Sequence, residues 1–228
     1  MRSLWPAVAG RASAVLTLQS YPFTDSLRDE VARRCAMFSR LSASATAVEL
    51  KPAAVAMVLA RADDGSDEAS LLLTRRSQSL RAHGGQWALP GGRYEPGETA
   101  VEAALRELNE ELTLRIDASS VLGILDDYPT RSGYLITPIV AWAELDPVLQ
   151  LNASEVASVH RVTLKDVMRP DAVDFIAIPE SDRRVIRLHV NGTAIHAPTA
   201  ALVYQFRELL AGRTTRVVDL EQPVFAWR

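Results

Sequence analysis

The chain is poor in several things at once. Cys35 is its only cysteine, so no intrachain disulfide can form and a reducing compartment is expected. Lysine is nearly missing, with only Lys51 and Lys165 among many arginines; we read this as compositional bias, not function. No apolar run approaches the ~20 residues of a membrane-crossing helix, so no membrane span is expected. An excess of positive charge is missing too. The formal net charge is −3, without the basic stripe that follows a phosphate backbone, which argues against a nucleic-acid partner. The first 24 residues hold Arg2 and Arg11 and no acid before Asp25. That suits an organelle transit peptide, but an Ala- and Arg-rich genome writes the same composition, and a cytoplasmic protein is the expectation.

What remains is ordinary for a globular enzyme: 228 residues, 48% hydrophobic and 23% charged, enough for one good core with or without an extension. We divide the chain into an N-terminal extension, 1–49, and a main domain, 50–228. In the extension, 25–41 has helical spacing (Leu27, Val31, Cys35, Phe38, Leu41), with Asp25 or Ser26 as cap, and is expected to pack on the main domain. From residue 53 short apolar runs take over. Segments 53–60 and 70–76 pair around an acidic loop, and 121–128 pairs with 134–145. Segment 155–164 is a further strand, followed by a helical turn near 165–168. Asn191-Gly192 makes a hairpin of the strands on either side. Thr199–Leu210 reads as a helix capped by Thr199 and stopped by Gly212, and the tail 213–228 adds a short strand. Strands mixed with helices, without strict alternation, predict an α+β or α-β-α layered domain.

The most informative stretch is Gly92 to Leu114, GRYEPGETAVEAALRELNEELTL. Pro96-Gly97 marks a loop, after which Thr99 and Glu102 form a capping box. At roughly 100° per residue Val101, Leu105, Leu108 and Leu112 share one side of the helix, and Glu107, Glu110 and Glu111 cluster on the other. Three carboxylates on one face repel each other; they make a solvated acidic surface or a site for a hard divalent cation, which takes oxygen ligands. Upstream, Arg75, Arg76 and Arg81 flank a loop containing Gly84 and Gly85. Guanidinium groups suit bidentate phosphate contacts, and glycines let backbone approach a ligand.

Gly92–Leu114 resembles the signature of the Nudix hydrolases: G, five residues, E, seven residues, R-E-U-x-E-E-x-G-U, with U bulky and aliphatic. Gly92, Glu98, Arg106, Glu107, Leu108, Glu110, Glu111 and Leu114 match; Thr113 stands where the family has glycine. Residues 72–92 are similar to the motif of the coenzyme A pyrophosphatase branch, through Leu72, Leu73, Thr74, Arg76, Ser77, Arg81, Gly85, Pro90, Gly91 and Gly92, with Leu89 in place of phenylalanine. Segments 130–138 and 195–203 look like that branch less specifically.

The resemblance implies a Nudix-type α-β-α sandwich with a mixed sheet, and a pyrophosphatase dependent on Mg²⁺ or Mn²⁺. Its implied substrate is coenzyme A or an acyl-CoA, cleaved to 3′,5′-ADP and (acyl-)4′-phosphopantetheine. Glu107, Glu110, Glu111 and the Gly92 carbonyl would hold the cation. Arg106 would pair with Glu98, and Arg76, Ser77, Arg81 and Gly85 would contact the coenzyme A end. Two alternatives stand beside this. The same chemistry can act on ADP-ribose, NADH, a dinucleoside polyphosphate or an oxidised nucleotide, and a Nudix module can sense a nucleotide without cleaving it. The intact glutamates speak against the sensor. Glu155 stands where some Nudix enzymes keep a helper carboxylate, though a plain strand-edge residue is the simpler reading. Trp87, Tyr94 and Tyr128 are read as packing residues able to stack on adenine, and His83 as a neighbour of the glycines. A homodimer is compatible with the sequence.

Overall fold

The computed structural model describes residues 19–41, 50–80, 83–143 and 148–226. The element order is α1 (Asp25–Met37), β1 (Lys51–Arg61), β2 (Ala69–Arg76), β3 (Trp87–Ala88), β4 (Gly91–Arg93), α2 (Ala100–Leu112), β5 (Val121–Ile124), β6 (Tyr128–Pro129) and β7 (Tyr134–Trp142). It continues with β8 (Val156–Thr163), α3 (Leu164–Val167), β9 (Val173–Ile178), β10 (Ser181–Val190), β11 (Thr193–His196) and α4 (Thr199–Leu210).

β1 is the central strand. It runs parallel to β7 and antiparallel to β2 near its end and to β4 near its start, giving a mixed sheet. β8 and β3 extend the sheet beyond β2, and β5 and β6 extend it beyond β7. Side chains alternate along β1 with the period of 2 that strands require. Ala54, Ala56, Val58 and Ala60 face the layer formed by α2 through Ala103, Ala104, Leu108 and Leu112. Met57 and Leu59 face the opposite layer, where Val31 and Cys35 of α1 meet Val203 and Phe206 of α4. The α-β-α sandwich with a mixed sheet is therefore the observed fold. β9, β10 and β11 form a separate antiparallel sheet of three strands.

Most expected elements are present, and several boundaries differ. α1 ends at Met37, so Leu41 lies outside it and is exposed. Its cap is Thr24, whose Oγ1 accepts the Leu27 N–H, not Asp25 or Ser26. Thr199 does not cap α4: Pro198 holds that position, and the Thr199 hydroxyl donates instead to the Trp87 carbonyl at 3.2 Å. Segment 121–128 breaks after Ile124 and resumes as β6, and β9 had no counterpart in the sequence reading. Among its described residues the tail forms an isolated bridge from Glu221 to Val185 and a 3₁₀ turn at Val224–Ala226. Asn191 and Gly192 both have positive φ, as the expected hairpin turn demands.

Thr113 takes the left-handed conformation in which helices commonly end, at φ 55° and ψ 26°. Its hydroxyl donates to the Gln150 carbonyl at 3.2 Å, which ties the segment before β8 to the end of α2. Left-handed backbone costs a non-glycine residue about 1–2 kcal/mol. The hydroxyl bond and the lower entropy of the unfolded threonine each recover roughly 0.5–1 kcal/mol. Thr113→Gly is accordingly expected to shift stability by less than about 1 kcal/mol in denaturant titration, and to leave activity intact.

Candidate active site

α2 starts as a capping box. Thr99 Oγ1 accepts the Glu102 N–H, and a Glu102 oxygen accepts the Thr99 N–H at 2.8 Å. Its packed face holds the helix against the Ala-rich side of β1, so Glu107 and Glu111 overhang β4 and open into a cavity of about 650 Å³. Two close approaches set this geometry. A methyl group on Gly92 would overlap the Glu107 carboxylate, and one on Gly91 (φ 155°) would overlap the Ala54 carbonyl oxygen.

Glu155 completes a cluster. One oxygen from each of Glu107, Glu111 and Glu155 lies within 4.8 Å of the others. Glu155 precedes β8 on a segment that the end of α2 captures: the Glu111 carbonyl accepts the Asn152 N–H at 2.9 Å and the Leu112 carbonyl accepts that of Gln150 at 3.0 Å. These are carbonyls that a helix end leaves without intrahelical partners. The Asn152 carbonyl in turn accepts the Glu155 N–H at 2.9 Å.

Burial governs the charge of the site. Glu111 is only 3% exposed, and its pKa is pushed up to about 8, first by burial and then by Glu107 and Glu155, against the pull of Arg76 and the Gly91 N–H. Burial also raises the pKa of Glu107, partly offset by Arg106. Glu111 Oε2 is buried without a hydrogen-bond partner. Crowded, half-dry carboxylates with an orphaned oxygen suit a hard divalent cation such as Mg²⁺ or Mn²⁺.

Arg106 organises the flank. It donates to Glu98 at 2.7 and 3.1 Å, to the Arg93 carbonyl at 2.9 Å, to Glu107 at 3.0 Å and to Glu110 at 3.1 Å. The expected Arg106–Glu98 pair is present, and it lowers the Glu98 pKa. Glu110 lies outside the three-carboxylate cluster, its side chain 50% exposed.

The upstream loop divides. Arg76 ends β2 and lines the cavity, with its Nε buried and lacking a partner. Ser77 and Gly85 do not line it. The Ser77 N–H donates to the Glu155 carbonyl at 2.7 Å, and the Gly85 N–H to that of Arg76 at 3.0 Å. Arg81 lies outside the described residues. His83, Trp87 and Leu89 line the cavity. Tyr128 is buried, donating to the Leu220 carbonyl at 2.8 Å, and Tyr94 packs beside α2. The cavity's far wall, from Thr130, Ser132, Tyr134 and Gln222, was not picked out as a site from the sequence.

The layered fold and its carboxylate-lined cavity define a class, an α+β domain with a cluster of oxygen ligands able to take a hard cation. The family model described as NUDIX domain matches residues 50–183, and the chain belongs to the Nudix hydrolase family. It is 41% identical over 103 residues to a Yersinia enterocolitica protein named uncharacterized Nudix hydrolase NudL, covering 45% of this chain and 53% of that protein. The NudL protein of Photorhabdus laumondii is 34% identical over 142 residues, 61% of this chain and 76% of that one. Nudix hydrolase 3 of Caenorhabditis elegans is 37% identical over 110 residues, 46% and 45% of the two chains. The chain thus spans about half the length of two of these relatives. The solved structure of a Nudix hydrolase from M. smegmatis, RenU, matches with TM-score 0.47 at 21% identity, over 73% of this chain and 89% of that one. Among the described residues no helix is long and apolar enough to cross a membrane.

Proposed function

We propose that the protein hydrolyses the diphosphate linkage of coenzyme A or an acyl-CoA, giving 3′,5′-ADP and (acyl-)4′-phosphopantetheine. The observation that carries the reading is the meeting, in one cavity, of the Glu107–Glu111–Glu155 cluster with Arg76. Arg76 belongs to the segment similar to the coenzyme A pyrophosphatase motif.

In this reading Glu107, Glu111 and Glu155, joined by the Gly92 carbonyl, would hold the cation. Bound there, Mg²⁺ or Mn²⁺ supplies neutralisation of the diphosphate charge and acidification of a water. Arg106 fixes Glu107 through its bond at 3.0 Å while anchored to Glu98 and to the Arg93 carbonyl; it positions the ligand and does not touch substrate. Glu110 shares that network at the rim. The Arg76 guanidinium, which lines the cavity beside the carboxylates, is placed to meet a substrate phosphate. Ser77 and Gly85 shape the loop that presents Arg76.

Chromatography of products from coenzyme A with Mg²⁺ or Mn²⁺ tests the proposal. The expected products are 3′,5′-ADP and 4′-phosphopantetheine in equal amounts. No 3′,5′-ADP from coenzyme A, together with hydrolysis of ADP-ribose, NADH or a dinucleoside polyphosphate, would replace the substrate and keep the chemistry.

A further inference from the structure

The cavity is divided by charge. Its charged or readily titrated lining residues, Arg76, His83, Arg93, Glu107, Glu111 and Glu155, come from β2, the loop after it, β4, α2 and the turn before β8. The opposite half is lined by Thr130, Ser132, Tyr134, Ile136, Leu202 and Gln222 and has hydroxyl, amide and apolar surface without a formal charge. The sheet register separates the halves. Arg93 stands opposite Ala53, Ala53 opposite Ile136, and Ile136 opposite Tyr128. With strands ~4.8 Å apart, β6 lies roughly 14 Å from β4.

The uncharged wall is built partly by chain beyond the matched family domain. Glu221, 2% exposed, receives Arg131 on both oxygens, at 3.1 and 2.5 Å, and the Ser181 hydroxyl at 2.8 Å. These partners hold its pKa down to about 2, the Arg131 contact contributing most. Gln222 Oε1 accepts the Arg131 backbone N–H at 2.6 Å, and the Leu220 carbonyl accepts the Tyr128 hydroxyl at 2.8 Å. Three successive residues of the C-terminal segment therefore grip the β6–β7 turn. The grip also pairs Arg131, in the turn that carries Thr130 and Ser132, with a buried carboxylate, and the residues lining the wall carry hydrogen-bonding groups rather than charge.

We propose that the C-terminal segment around Glu221 and Gln222 and the Thr130–Gly133 turn together form a specificity subsite for the uncharged, amide- and hydroxyl-bearing arm of a diphosphate substrate. The charged half takes the phosphates, and the wall ranks substrates by what is attached beyond them. This rests on the diphosphate reading and extends it to the C-terminal segment around Gln222, beyond the matched family domain. Gln222 is a wall and positioning residue; nothing places it at the reacting phosphorus.

The test compares coenzyme A with ADP-ribose, which carries a sugar in place of the amide arm, in wild type, Gln222→Ala, Gln222→Glu and Ser132→Ala. Losing a neutral hydrogen bond to the arm in Ser132→Ala, and loosening the Arg131 turn that Gln222 holds in Gln222→Ala, are each expected to raise KM for coenzyme A about 5-fold, with kcat within about 2-fold. A carboxylate facing the arm in Gln222→Glu is expected to raise it further. The ratio of coenzyme A to ADP-ribose kcat/KM falls in each. The subsite is overturned if that ratio is unchanged, or if both substrates lose equally. Ser132 is exposed, so its variant keeps the test decisive even if the buried Gln222 changes fail to fold. Wild-type inactivity on coenzyme A sinks the coenzyme A assignment by itself. The wall is then judged on two diphosphates that wild type cleaves, one with and one without an amide arm, by the same ratio.

Discussion

Glu111→Gln is expected to abolish turnover and, in chelator at pH 8, to raise the melting temperature. Both outcomes follow from one environment. Glu111 is almost wholly buried, its carboxyl titrates near pH 8 in the folded chain, and one of its oxygens has no hydrogen-bond partner. In the unfolded chain the same group gives up its proton near 4.5. Between these values unfolding releases a proton, so the cation-free protein carries this contribution in full below pH ~4.5 and loses it as pH rises towards 8, at about 1.4 kcal/mol per unit. Glutamine keeps the shape without the charge. A gain of about 5 °C in chelator at pH 8, shrinking at pH 5, is the expected calorimetric result. With Mg²⁺ present the order reverses, because wild type gains from binding and the variant does not. Turnover is expected to fall at least about 100-fold. A variant that keeps its rate, or melts lower than wild type in chelator, would remove Glu111 from the cation site.

The neighbouring glycines are expected to separate stability from activity. At Gly91 an added methyl meets backbone, overlapping the Ala54 carbonyl oxygen and lying 2.6 Å from Val55 Cα. β1 is the central strand and cannot retreat, so Gly91→Ala is expected to cost more than about 2 kcal/mol in denaturant titration. At Gly92 the obstacle is the tip of the Glu107 side chain, which can swing aside. Gly92→Ala is expected to keep stability within about 1 kcal/mol of wild type and to lose at least about 10-fold in activity, because Glu107 leaves its position. Equal losses in both properties for both variants would mean that β4 acts only as a packing element.

These two sites show what could be read in advance. The capping box, the place of Leu108 and Leu112 on the packed face of α2 and the β1–β2 pairing depend on residues close in sequence, and they were legible; Ala103 and Ala104 are buried on that face while the expected Val101 and Leu105 stay half-buried at its edge. So was the Arg106–Glu98 pair. The carboxylate set was only half legible. Glu110 and Glu111 are adjacent, hence ~100° apart on the helix, and Arg106 holds Glu110 at the rim while Glu111 turns inward. The third partner, Glu155, arrives through carbonyls at the helix end, a contact between distant segments without a local pattern. The same applies to Gln222, whose place in the wall comes from a grip on the Arg131 backbone 91 positions away. Thr199 fits a cap by type, but its hydroxyl is drawn to the Trp87 carbonyl. Thr113, where glycine is usual, takes the left-handed conformation and spends its hydroxyl on the Gln150 carbonyl.

In the proposed mechanism Glu107, Glu111 and Glu155 jointly hold a divalent cation in the cavity. Titration of Mn²⁺ into wild type, Glu111→Gln and Glu155→Gln at pH 8, followed by electron paramagnetic resonance, tests it most directly. Saturable binding is expected in wild type, with binding at least about 10-fold weaker in each variant. Binding that survives both substitutions unchanged would contradict it.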